Sequence, residues 1–106
     1  MMAMIAPQSP YPYLDGKYVI DCSTLPEGLQ EALAEARHLD AMSSGLLRLA
    51  DRWEKEGRSP ALVDGRRKVA AAYEVSRSLH LARLWTFHGK RPPAGLAFER
   101  LRIIGK

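Results

Sequence analysis

Apolar residues recur at helical spacing in two long runs of this chain of 106 residues. In the first, Leu25, Leu29, Ala32, Ala36, Leu39, Ser43, Leu47 and Ala50 form one stripe, with Leu46 and Trp53 at its flank. The spacing predicts a helix over residues 24–56. Thr24 and Glu27 match a capping box at its start, Glu27, Glu31 and Glu35 favour the positive end of its dipole, and Gly57 stops it. Ser43-Ser44-Gly45 is its weakest stretch and marks either a kink or a close crossing. Ala32, Ala36, Ser43 and Ala50 are small enough to let another helix approach closely.

The second run, Ser59 to His88, opens with a capping serine and a proline at the first helical position, and closes at Gly89. Leu62, Val69, Tyr73, His80, Leu84 and Phe87 fall within a sector roughly 60° wide at 100° per residue. Gly65 is the only interruption, costing about 1 kcal/mol against alanine. The simplest account is one helix over residues 59–89. Gly57-Arg58 is then a connection of the length that joins antiparallel neighbours. Two helices this long cannot cover each other's stripes alone, so a third layer is required.

Short elements flank the pair. Residues 1–22 read as an extended arm, with Pro7, Pro10 and Pro12, followed by a hairpin around Asp15-Gly16, a type I′ signal; Pro12 confines the first strand to an edge. Tyr11, Tyr13 and Tyr18 give this segment apolar surface with hydroxyl handles, and the arm is expected to dock on its own core or on a neighbouring subunit. Residues 90–106 form a basic tail whose LAFERLRII is either helical turns or a short strand, with Phe98, Ile103 and Ile104 favouring a strand. The expected fold is a single mainly α domain, an antiparallel hairpin of two long helices with a short N-terminal β-hairpin and a C-terminal strand or turn.

A different reading of the second run starts from VAAAYEVSRS, residues 69–78. The segment resembles the middle of the helix-turn-helix of MerR-like and excisionase-like regulators, V-A-x-x-x-G-V-S-R-x. The resemblance implies a turn at Val75-Ser76, a recognition helix opening at Arg77 and Ser78, and a wing made by GKRPPA and RLRI. Glu74 stands where those families place glycine, His80 and Arg83 fall where buried aliphatics are needed, and the spacing from Ser76 to Gly89 is about two residues too long. LDAMSSGLLRLADRW, residues 39–53, likewise resembles the first helix of helical chorismate mutases, with Asp40, Leu46, Leu47 and Leu49 in the pattern. Ser43 replaces that pattern's second acid, and the cationic groups that hold the dicarboxylate have no counterpart. Heptad-like spacing alone accounts for the similarity.

Charge sharpens the division between the halves. Residues 1–57 carry 5 Lys/Arg against 9 Asp/Glu, a net of −4, and residues 58–106 carry 11 against 3, a net of +8. The basic half suits either phosphates or the chain's own acidic half. Arginines outnumber lysines 11 to 5, a bias of GC-rich genomes. Cys22, the only cysteine, excludes an internal disulfide, and no run has the apolar length of a signal peptide or a membrane span, so a cytoplasmic location is expected, in the host cytoplasm or virion if the chain is viral. His80 and His88 lie about 12 Å apart along a helix, too far to chelate one ion, and no glycine-rich phosphate loop is present.

No catalytic, cofactor-binding or metal-binding residues emerge. The candidate contact residues are Arg66, Arg67, Lys68, Arg77, Arg83, Trp85, Lys90 and Arg91, with Phe87 and His88 interleaved. The expectation is a non-enzymatic interaction or assembly protein of viral or bacterial origin, without cofactor or membrane contact. Its partner is another protein or further copies of itself, with nucleic acid the alternative through the basic half. The alternative function is a DNA-binding regulator using Val69–Trp85 as its helix-turn-helix.

Overall fold

Both long helices form, and each ends as its sequence dictates. The structure, a computed structural model that describes residues 9–105, places α1 at Glu27–Lys55 and α2 at Pro60–Thr86. They pack as an antiparallel hairpin, and the chain is mainly α. Gly57 and Gly89 close the two helices with positive φ, 76° and 70°. The Arg58 amide donates to the Trp53 carbonyl and the Lys90 amide to that of Trp85, the long bond of a Schellman cap in each case. Ser59 caps α2, its Oγ accepting from the Ala61 amide.

The capping box at Thr24 does not form. Leu25 precedes a proline and is held extended (φ −80°, ψ 143°), so helical geometry cannot pass through it and α1 starts only after Pro26. Thr24 instead donates to the Asp21 carbonyl, in a 3-10 turn over Cys22–Thr24.

The turn of the helix-turn-helix reading is absent as well. Residues 74–76 lie in the middle of α2, which is continuous from Pro60 to Thr86. Alanines at 70–72 and glutamate at 74 favour helix, and no residue here favours positive φ. Arg77 and Ser78 therefore open no recognition helix, and Val69–Trp85 is one helical segment.

Three short strands make the remaining layer: β1 (Tyr13–Leu14), β2 (Lys17–Asp21) and β3 (Leu101–Ile104). β1 runs antiparallel to β2 through a turn whose central residues Asp15 and Gly16 both have positive φ, 53° and 79°, as a type I′ turn requires. β3 pairs parallel to β2, with Tyr18 opposite Leu101 and Ile20 opposite Ile103, so β2 is central and β1 is an edge. The tail has both characters foreseen for it, a 3-10 turn over Phe98–Arg100 running into β3.

The sheet covers one face of the hairpin at its open end. The core there unites Tyr18, Ile20 and Leu101 with Leu25, Leu29, Leu33 and Ala36 on the α1 side, Leu81, Leu84 and Trp85 of α2, and Leu96 from the connection. Toward the loop end only a narrow seam is buried, made of Leu39, Ser43, Ala50, Val63 and Ala70. Ser43-Ser44-Gly45 is thus a close crossing, with the Ser43 Oγ donating to Glu74 Oε2 at 3.1 Å. The molecule measures 53 × 40 × 22 Å, and its 16.8 Å radius of gyration exceeds the roughly 13 Å of a compact domain of this length. The excess is the hairpin extending past its sheet.

Residues 1–8 of the predicted arm lie outside the described residues, but Tyr11 docks. Its hydroxyl donates to the Leu84 carbonyl at 2.7 Å, and its ring meets Trp85 edge-on at 5.1 Å. Burial raises the Tyr11 pKa above its ordinary 10.0. A raised pKa gives stability that is complete below pH 10 and lost as pH rises through the folded value. Tyr11→Phe should lower the unfolding free energy by about 1 kcal/mol at neutral pH. The gap to wild type should close above pH 10, as read from urea titrations across that range.

Candidate functional site

The two faces of the hairpin differ in kind. On α1 the Arg37 guanidinium lies over Phe98, beside the sheet, while Trp53 is sixteen residues on and about 160° further round the helix. On α2 Trp85 lies under the sheet and Ser78 Oγ donates to the Leu96 carbonyl; Val69 and Leu62, sixteen residues before each, are likewise about 160° away. Arg66 over the Trp53 ring at 5.2 Å joins the two far flanks into one surface. That surface holds Met42, Leu46, Leu49 and Trp53 from α1, a run spaced 4, 3 and 4, with Leu62, Val69, Tyr73, His80 and Phe87 from α2.

This face is only partly covered: the Arg58 and Arg66 guanidiniums lie over the Trp53 ring at 4.9 and 5.2 Å. Leu62, Val69 and Phe87 are 53%, 42% and 58% exposed, whereas Val63, Ala70 and Leu84 beside them are almost wholly buried. The α2 stripe legible in the sequence is therefore real, but most of it points outward; only Leu84 of its six members is buried. The inner seam of α2 is a second stripe, Val63, Ala70, Leu81 and Trp85. His80 is half-buried, and its Nδ1–H donates to the Ser76 carbonyl at 2.8 Å.

The candidate cations divide by partner. Arg67 donates to Asp51 at 3.0 Å and to Glu54 at 2.9 Å, tying the helices together near the loop. These hydrogen bonds, that of Glu54 foremost, hold the Arg67 guanidinium still further above its usual range, and in return draw Glu54 below the ordinary carboxylate range. A lowered carboxylate adds stability at neutral pH that is lost as pH falls through the folded value, but both groups are solvent-exposed and screening keeps the effect small. Lys68 pairs with Asp64 one turn away, Arg77 with Asp40 at 2.8 Å across the hairpin, and Arg66 stacks on Trp53. Arg83, Lys90 and Arg91 are exposed at the sheet end.

Trp85 is not part of any contact surface. It is 1% exposed and packed edge-on against Tyr11 and Tyr18, because α2 meets the sheet on that side. Sequence reasoning grouped it with Phe87, but two residues on a helix lie about 160° apart. The residues it passed over are Met42 and Leu49; their 3–4 spacing with Leu46 and Trp53 is the signal for a second α1 stripe.

Shallow clefts lie elsewhere. The loop end bears one of about 740 Å³ between Glu54, Arg58, Pro60, Asp64 and Arg67, and one of about 320 Å³ lies between Tyr11, Val19, Leu25 and His88. Asp21 and Thr24 also line the smaller cleft. Among the described residues no three His, Cys, Asp or Glu side chains cluster as metal ligands would, and no helix is long and apolar enough to cross a membrane. Comparison with protein-family models, with curated proteins and with solved structures finds no match to this chain.

Proposed function

We propose that the chain is a non-enzymatic protein-interaction module that binds through the bare face of its helical hairpin. The observation that carries this reading is the apolar surface running along both helices opposite the sheet. Water-exposed apolar area of this extent is retained where another protein covers it. The Arg67 and Arg77 ion pairs tie α1 to α2, and the sheet packs on the side away from the bare face.

A nucleic-acid role has less support. Arg67, Lys68 and Arg77 are engaged with carboxylates of this chain, and the aromatic meant for base stacking, Trp85, is buried. What remains basic is the sheet-end group around Arg83 and Arg91.

Site-specific photo-crosslinking in cells of the source organism tests the reading. A benzophenone side chain at position 69 should capture a protein, while the same group at Arg48, off the bare face, should not. Equal labelling at both positions, or none at 69, would overturn it.

A further inference from the structure

We infer that the occupant of the bare face is a second copy of this chain. Two hairpins close into an antiparallel four-helix bundle about a two-fold axis that runs parallel to the helices. The inference rests on the interaction reading above and names its partner.

Charge along the face carries the argument. Glu31 and Glu35 lie eighteen residues, five whole turns, before Leu49 and Trp53, so they continue the same line of α1. That line is apolar at the loop end and acidic at the sheet end. On α2, Arg83 lies within about 40° of the line through Val69 and Phe87, so the corresponding part of α2 is basic at the same sheet end. An axis parallel to the hairpin lays α1 over α2 of the second copy and keeps both sheet ends together. Glu31 and Glu35 then stand opposite Arg83 of the second copy, twice over by symmetry, while Leu46, Leu49 and Trp53 meet Leu62 and Val69. Every neighbouring helix pair in the bundle is antiparallel. The other arrangement, with the axis across the hairpin, lays α2 on α2 end for end and brings the Arg83 of each copy toward the Arg66 of the other.

Size fits as well. Two helices about 40 Å long and 10 Å apart present a face of roughly 800 Å², the area per partner of a standard stable interface. Leu62 and Val69 are exposed in the single chain, so substituting them does not disturb its core.

Sedimentation equilibrium of the full chain is the test. Wild type should show twice the 11.8 kDa chain mass, and Leu62→Asp with Val69→Asp should give a monomer with unchanged circular dichroism. The doubly substituted Glu31→Lys/Glu35→Lys chain and the Arg83→Glu chain should each dimerise at least about tenfold more weakly, yet form a 1:1 heterodimer on mixing, because opposite charges again face each other at both sites. A wild type that stays monomeric at about 100 μM overturns the inference, since a stable dimer is populated there. A dimer that survives the Leu62/Val69 substitutions, or charge variants that fail to rescue each other, also overturns it. So does a wild type that dimerises only after residues 1–8 are removed, since that places the chain's own arm on the face. A monomeric wild type whose position 69 still crosslinks to a protein of different mass sinks the self-association alone; loss of both results sinks the interaction reading too.

Discussion

Trp85→Ala is expected to lower the unfolding free energy by about 3–5 kcal/mol, a large part of the 5–15 kcal/mol available to a domain of this size. Trp85 is where three parts of the chain meet: Tyr11 from the N-terminal segment and Tyr18 from β2 each set an edge against its ring at 5.1 Å, and α2 carries it. Removing the indole leaves a cavity in the core that joins the sheet to the helices, where it is the largest wholly buried side chain among the described residues. Among the described residues the sheet has three short strands, and it depends on packing against the helices here. Urea unfolding followed by circular dichroism measures the loss, and Trp53, half-exposed near the loop, serves as an independent fluorescence reporter of the far end. Trp85→Phe should recover much of the loss by refilling the site. A cost below about 1 kcal/mol for Trp85→Ala would mean the layer is held elsewhere. Because the indole is wholly inside, any effect of this substitution on partner binding acts through folding.

How legible each helix was depended on how its apolar residues are distributed. α1 has one well-marked seam, and seven of the eight positions of its predicted stripe, from Leu25 to Ala50, are buried; Leu47 alone is half-exposed. α2 is apolar on both sides. Periodicity finds its larger residues, Leu62, Val69, Tyr73 and Phe87, yet the seam against α1 selects small ones such as Ala70, because the helices approach closely at Ser43 and Ala50. A sequence period marks a face and is silent on which neighbour it meets. The same limit produced the helix-turn-helix reading: VAAAYEVSRS has the motif's spacing, but Glu74 lacks the backbone freedom of the glycine that makes the turn. Long-range contacts were out of reach in a different way. The parallel pairing of β2 with β3 joins segments some eighty residues apart, and the ion pairs of Arg67 and Arg77 span 16 and 37 residues. The acidic-to-basic division of the chain was visible throughout, and its attraction operates inside the hairpin, through the ion pairs of Arg67 and Arg77.

Arg77→Ala is expected to cost about 2–3 kcal/mol, while Arg67→Ala, which breaks two ion pairs instead of one, should shift the urea midpoint little. Burial makes the difference. The Arg77 side chain is 15% exposed, against 38% for Arg67, and its Nε is shut off from solvent without a hydrogen-bond partner. Its guanidinium has already lost most of its hydration and is compensated chiefly by Asp40 at 2.8 Å, so truncation removes packing of the stem and strands Asp40 and the neighbouring Glu74 beside an unfilled gap. Arg77→Met keeps the stem and should recover part of the loss, because a buried ion pair can be replaced by well-packed apolar atoms at little cost. A double-mutant cycle with Asp40→Ala isolates the pair from the packing. If Arg77→Ala and Arg67→Ala have equal effects, burial is not what sets the strength of these bridges. The outcome also separates two roles for a residue that motif reasoning placed against DNA: if Arg77 is structural, replacing it lowers stability with no nucleic acid present, whereas replacing a phosphate contact would leave stability unchanged.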